Sequence, residues 1–327
     1  MKVRASIYDL EEPGVRERWQ ALQKVSVIRT PFSNLDYVES LSQVTGRRVA
    51  VVLARESKDI SGALLFERRI GPLLKAGPVG FTPFTPLSAE RLPHGAEVHG
   101  AESWYHVLAE TLMAHYGMVD LYLPPAITDV RAFQWSGWQA TPFYTFRLSL
   151  TDPEARIAAW SESARRTFDR KRERYHLVEG ESSSTDIVDL CIEGYARAGR
   201  RPPLERRQLS DLVSRLASTD RVRCFTLRDA IHDTPSAGVA VLIEGSDAYY
   251  WVAGSKPGPA MTVMIGELVH CLAAGGIETF DFVGANTPAI AEFKRRFNPD
   301  LIPYYRVRGI RSRALRIFSA LLHPFGA

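Results

Sequence analysis

Pro142-Phe143-Tyr144-Thr145-Phe146-Arg147 returns 161 residues later as Pro303-Tyr304-Tyr305-Arg306-Val307-Arg308. The same offset carries Asp120-Leu121-Tyr122-Leu123 onto Asp281-Phe282-Val283-Gly284, and an offset of 160 carries Phe133 onto Phe293. Upstream the match loosens but keeps its order. Val49–Arg55, a turn at Ser57-Lys58-Asp59 and Gly62–Glu67 correspond to Arg223–Arg228, a turn at His232-Asp233-Thr234-Pro235 and Gly238–Glu244. Agreement in register at separate places marks an internal duplication.

Each half reads as a strand hairpin, a further strand, an amphipathic helix, a strand, a short helix and a last strand. Ser103–Tyr116 gathers Trp104, Val107, Leu108, Thr111 and Leu112 on one helical face, and Thr262–Ala274 gathers Ile265, Leu268, Val269 and Leu272. Gly117 and Gly275-Gly276 are expected as left-handed helix stops. Val119–Leu123 and Thr279–Val283 are short and apolar, as buried strands are. The expected fold class is α+β, an α/β sandwich of two tandem domains, each a mixed, mostly antiparallel sheet flanked by helices. Thr151–Asp220 reads as largely helical: one helix from Asp152-Pro153 to about Tyr175, then Ile187–Ala198 and Leu204–Ala217. A boundary near Leu150 divides the chain into residues 1–150 and 151–327, with the helical segment at 151–220.

The 327 residues, 45% hydrophobic and 24% charged, have ordinary globular composition and exclude a disordered or fibrous chain. No apolar run approaches the roughly 18–20 residues that span a bilayer. Met1-Lys2-Val3-Arg4 runs straight into Asp9-Leu10-Glu11-Glu12, without a secretory apolar segment. Cys191, Cys224 and Cys271 lie far apart and form no redox or metal pair. A cytoplasmic protein is expected. No metal is expected either: His94, His99, His106 and His115 share no ligand spacing with a carboxylate or thiol. Dinucleotide, P-loop and nucleophile-elbow signatures are missing.

The net charge is +4, and the excess is clustered. One block is Arg165–Arg174; another begins at Lys294-Arg295-Arg296 and continues through Arg306, Arg308, Arg311, Arg313 and Arg316. Such blocks suit a polyanion or an anionic surface, or are solvated helix faces. The tail Arg308–Pro324 reads as a basic amphipathic helix, with Leu315, Phe318, Leu321 and Leu322 opposite Arg313 and Arg316. It would either touch anionic lipid at the membrane periphery or pack back on the second domain.

The doubled order of elements resembles tandem GNAT-fold acyltransferases, and more specifically the FemABX group and the related cellulose-biosynthesis-type acetyltransferases. Thr30-Pro31-Phe32 followed by Tyr37 is similar to the family's entry helix. Thr145–Leu150, then a tryptophan helix and Arg165-Arg166-Thr167-Phe168-Asp169-Arg170, is similar to its arginine-bearing segment, with Arg170 where the family has lysine. Tyr249-Tyr250 with Gly254-Ser255 resembles the strand and loop before its long helix. Asp281-Phe282-Val283-Gly284 and Phe293-Lys294 with Phe297 resemble its closing motif. The resemblance implies acyl or aminoacyl transfer to an amine, with Lys294 as the catalytic lysine. It places phosphate contacts of the substrate at Arg166, Arg170 and the Tyr249–Ser255 loop, and marks Phe32, Tyr37 and Phe297 as further substrate-binding positions.

Transfer of an acyl group to an amine needs removal of a proton from nitrogen and donors for the tetrahedral oxyanion. Lys294 is expected at the margin of a helix face formed by Ile290, Phe293 and Phe297, its stem on aromatics and its ammonium in a cleft. Gln134 holds its place in the first half, so the second half is expected to be the working one. An exposed lysine in a basic run is the plain alternative. For the base the candidates are Asp281, Glu292 and Glu244, with Asp36 on the entry helix. Asp120 repeats Asp281 and favours a structural role for both. The loop Ala253–Ala260 opens the second long helix at its dipole, but Pro257 and Pro259 remove N–H donors from a pyrophosphate cradle.

The expected function is therefore an N-acyltransferase with its acceptor in the interdomain cleft. It moves an aminoacyl group from aminoacyl-tRNA to an amine of a cell-envelope precursor or specialised metabolite, with no cofactor beyond the donor. The alternatives are an acyl-CoA-dependent acyltransferase and a non-catalytic binding module.

Overall fold

The fold is taken from a computed structural model, which describes residues 2–93 and 103–312. The first part of the chain runs β1 (Arg4–Asp9), α1 (Val15–Val25), a 3-10 turn (Pro31–Ser33), α2 (Leu35–Thr45), β2 (Val49–Arg55), β3 (Asp59–Ile70), β4 (Leu73–Gly77), β5 (Leu87–Ala89), α3 (Trp104–His115), β6 (Met118–Leu123), α4 (Arg131–Trp135) and β7 (Gln139–Ser149). The rest runs α5 (Pro153–Ala158), α6 (Glu162–Lys171), β8 (Tyr175–Glu179), α7 (Ser183–Arg197), α8 (Arg206–Ala217), β9 (Val222–Asp229), β10 (Pro235–Glu244), β11 (Asp247–Ser255), α9 (Ala260–Ala274), β12 (Thr279–Asp281), α10 (Pro288–Arg295) and β13 (Asp300–Ile310). Both repeats thus show the expected order, and the fold is α+β with largely antiparallel sheets.

Two compact units form. One takes the described residues up to Phe143 together with those from Pro303 onward; the other takes Tyr144–Ile302. From Pro303 to Ile310 the last described strand therefore falls in the first unit.

In the first unit the strand order is β1-β2-β3-β4-β6-β13, with β5 against β3. The β4–β6 pair is parallel and the other pairs are antiparallel. Trp104, Tyr105, Leu108 and Leu112 of α3 share one buried core with Val119, Leu121, Leu123, Phe133 and Val307. Alternation along β6 and β13 turns Asp120, Tyr122, Arg306 and Arg308 to the other face. Gly117 is not the left-handed stop expected. Helix α3 closes with Tyr116 N donating to Leu112 O at 2.8 Å, and a Cβ on Gly117 would lie 2.1 Å from Leu73 Cδ1. The end of the Leu73 side chain on β4 fills the space that a side chain at 117 would take.

In the second unit the order is β7-β12-β11-β10-β9-β8. Only β11–β12 is parallel, over Asp247–Tyr249 and Thr279–Asp281. Helix α9 lies in a core with Phe168, Phe225, Val239, Phe280 and Phe282. The helix expected from Asp152 to Tyr175 is two helices. Ser161 breaks it by capping α6, its Oγ accepting from Ala164 N at 3.4 Å while its own N–H donates to Arg296 O at 2.8 Å. The same stretch ends in β8, an edge strand not foreseen. The stop after α9 is Gly276, at φ 79°, whereas Gly275 has φ −84°.

Arg308–Ile310, read from sequence as the start of a helix, are strand: Arg308 lies opposite Asp120 on β6. The remainder of that amphipathic stretch, from Arg313, lies outside the described residues, as do His94 and His99. No described helix is long and apolar enough to cross a membrane, and no group of three metal-ligating side chains occurs among the described residues.

Candidate active site

The second unit gathers its chemistry where β12 ends. Asp281 closes that strand opposite Arg147 of β7 and is 1% exposed. Its Oδ1 accepts from Thr145 Oγ1 at 2.6 Å and from Val283 N at 2.8 Å, and its Oδ2 accepts from Arg147 Nη2 at 3.1 Å. Burial pushes the carboxyl up from its ordinary value, while Thr145, Arg147 and the Val283 N–H pull the other way. Both oxygens of Asp281 are thus engaged.

Beyond Asp281 the backbone is bent. Val283 has φ 52° and Gly284 φ 103°. The first value is costly for a β-branched residue, on the order of 1–3 kcal/mol. Gly284 N donates to Thr145 Oγ1 at 3.0 Å, and Ala285 N donates to Tyr144 O at 2.8 Å, so β7 holds the bend in place. Asn286 continues the strap, accepting from Tyr144 N at 2.8 Å and donating to Tyr144 O at 3.0 Å.

The bend leaves two carbonyls aimed at one atom. Lys294 Nζ donates to Phe282 O at 2.7 Å and to Gly284 O at 2.8 Å. It lies 5.4 Å from the Tyr250 ring centroid and 5.8 Å from that of Phe282. Here the structure corrects the sequence-based placement. Ile290, expected to face inward, is 44% exposed, whereas Lys294, expected at the margin, is 6% exposed. Burial brings its pKa down to about 8, against a smaller upward pull from the Asp281 charge. An ammonium has three donors, and here two are committed to carbonyls.

Of the other residues singled out, Tyr250 and Phe297 belong to this cluster. The Tyr250 hydroxyl donates to Met261 Sδ at 3.3 Å. Phe297 packs with ring centroids 4.8 Å from Trp160, 5.2 Å from Phe293 and 5.8 Å from Phe282. Tyr249 is buried one residue earlier on β11, its phenol pushed up chiefly by desolvation. Ser255 ends that strand, its carbonyl accepting from Arg197 Nη2. Arg166 and Arg170 stand on the exposed side of α6, Arg166 bonded to Glu162 one turn earlier. Phe32 and Tyr37 belong to the first unit. There Phe32 packs edge-on against Tyr37 at 5.4 Å, and the Tyr37 hydroxyl bonds Phe81 O at 3.1 Å.

Two of the three remaining base candidates are engaged elsewhere. Glu292 is exposed and paired with Arg295, which pulls its carboxyl down. Glu244 pairs with Arg221 at 3.1 Å, and Asp36 is exposed in the first turn of α2. What sequence reasoning missed is the support: Thr145, Arg147 and the two carbonyls. Arg147 was visible as one half of the repeated arginine, but the partner was not.

A model of the acetyltransferase (GNAT) domain family matches residues 154–295, within the second unit. No curated protein is significantly similar in sequence. In structure the chain is similar to FemX, with a TM-score of 0.64 and 10% identity over 94% of this chain and 98% of that one. It is similar to the L-PGS of Bacillus licheniformis, at 0.58 and 13% over 94% and 95%. It is also similar to a tandem GNAT protein from the clavulanic acid biosynthesis pathway, at 0.53 and 11% over 95% and 99%. The chain therefore has the GNAT fold in the tandem arrangement of FemX and the tandem GNAT protein, and the stretch that matches the acetyltransferase (GNAT) domain model lies in its second unit.

Proposed function

We propose that this chain is an N-acyltransferase that moves an aminoacyl group from aminoacyl-tRNA to the amine of a small acceptor, a cell-envelope precursor or specialised metabolite. The observation that carries the reading is Lys294: a buried lysine held by two backbone carbonyls in the unit that matches the acetyltransferase model. Two of its N–H groups are fixed, so the third has a defined direction. In the ammonium form it donates to the oxyanion that develops as the acceptor nitrogen adds to the ester carbonyl. As the tetrahedral intermediate collapses, the ester C–O bond breaks and the proton from the acceptor nitrogen passes to the ribose oxygen, which leaves as the tRNA hydroxyl. Tyr250 and Phe282 keep water from the ammonium, which strengthens its pull on the forming charge. Arg166 and Arg170, exposed on α6, would hold phosphates of the donor.

Acyl-CoA is the second reading of the donor, favoured by the acetyltransferase description of the matching family. Against it stand Pro257 and Pro259, which lack two N–H groups at the entrance to α9. The test is transfer of labelled amino acid from charged tRNA, with acyl-CoA in parallel, by the wild type and by Lys294→Met. Turnover with charged tRNA that Lys294→Met loses supports the proposal. Stabilisation by acyl-CoA alone, with no turnover from charged tRNA, overturns it.

A further inference from the structure

One face of the first unit carries more positive charge than its carboxylate answers. Asp120 of β6 is buried, and three cations converge on it. Arg306 Nη2 and Arg308 Nε lie 2.8 Å from its Oδ1, and Lys75 Nζ lies 3.1 Å from its Oδ2. Register puts them on one side of the sheet: Arg308 opposite Asp120, Arg306 opposite Tyr122, and Lys75 of β4 opposite Met118. Arg306 also lies over the Tyr122 ring, 5.5 Å from its centroid. Across the β3–β4 ladder Lys75 faces Arg68, a like charge where an opposite one would stabilise.

The second unit shows how little of this charge the frame requires. Asp281 repeats Asp120, and Arg147 repeats Arg308. At the place of Arg306 stands Thr145, which donates to Asp281 at 2.6 Å. At the place of Lys75 stands Asp247, opposite Thr279 as Lys75 is opposite Met118. One arginine, one hydroxyl and the Val283 N–H hold the buried aspartate there, with a single cation bonded to it. Arg306 and Lys75 are thus surplus to the structural task, and partly buried cations in excess of their counterions are costly unless an anion joins them.

We propose that Lys75, Arg306 and Arg308 form an anion site in the first unit that takes a phosphoryl or diphosphoryl group. Two guanidinium planes offer forked donors and Lys75 a point charge, a combination that matches a divalent phosphate better than a single carboxylate. The site is made of first-unit residues only, and the proposal does not depend on the identity of the acyl donor.

Calorimetric titration of the full chain with inorganic pyrophosphate at low salt tests this. The wild type should bind. Lys75→Met and Arg306→Thr, the latter copying the second unit, should each weaken binding by at least about tenfold. Arg4→Met on the edge strand β1 removes one charge elsewhere and should change affinity less than about twofold. Melting temperatures near wild type show that the variants are folded. No binding by the wild type, or equal weakening in all three variants, overturns the proposal.

Discussion

Arg147 and Asp281 face one another across the β7–β12 ladder with Nη2 3.1 Å from Oδ2, and Arg308 and Asp120 repeat that pairing across β13–β6. Each arginine follows the short helix of one repeat, and each aspartate ends or lines the strand before the short helix of the other. The sheet of each unit is completed by the last strand of the opposite repeat. The duplicated Pro-aromatic-Tyr-x-x-Arg motif is therefore the mark of an exchange of strands.

Removing the arginine tests that bond. Asp281 is buried with Thr145 and one backbone N–H as its remaining donors, so Arg147→Met leaves an uncompensated carboxylate. Loss of one partner of a fully buried pair costs about 3–5 kcal/mol, and the one-third exposure of Arg147 brings the expectation to about 2–3 kcal/mol at pH 7. Burial holds the Asp281 carboxyl above its ordinary value, so the deficit should shrink as the solution is made acidic and the carboxyl takes up a proton. Urea unfolding at neutral and at acidic pH measures it, and an equal deficit at each would count against a charged Asp281.

Lys294 makes a second prediction about stability. Its folded value, about 8, lies below its ordinary 10.5. Between these values the unfolded chain holds more protons than the folded one, so stability rises with pH across that window. Below pH 8 both states are protonated and the cost of burying the charge is present in full. Relative to Lys294→Met, the wild type should gain on the order of 3 kcal/mol from pH 8 to 10.5. Parallel stability curves for the two proteins would show that the ammonium is not desolvated.

The same titration should appear in catalysis. On the proposed mechanism the ammonium that donates to the oxyanion is lost as pH passes about 8, so kcat/KM should fall above that value. Lys294→Met should lack this alkaline limb and run about 100- to 1000-fold slower. A wild-type rate that instead climbs through pH 8 would assign the lysine as a base.

Much of this was written in the chain in readable form. Repeat spacing and helical periodicity depend on neighbours in sequence, so the order of elements, α3 and α9 could be read directly. The pairing of Asp281 with Arg147 could not, because it joins residues 134 apart through strand register. Burial of Lys294 was hidden for a different reason. A polar residue in an amphipathic pattern reads as outward-facing, and what compensates it is a pair of main-chain carbonyls turned by the bend at Val283 and Gly284. The direction of a carbonyl has no letter in the sequence. Ser161 shows the reverse case: a serine before an acidic residue is a legible cap, and it marks where the expected single helix divides.

Two glycines separate close approach of backbone from close approach of a side chain. A Cβ on Gly254 would lie 2.2 Å from Leu190 C and 2.3 Å from Cys191 N, so Gly254→Ala must push the main chain of α7 off β11. A Cβ on Gly117 would meet the end of the Leu73 side chain, which can rotate away. Gly254→Ala is expected to cost about 3 kcal/mol and Gly117→Ala about 1 kcal/mol. Denaturant midpoints of the two variants measure the order. If Gly117→Ala proves the more damaging, then Leu73 cannot move aside and β4 is held more rigidly than α7.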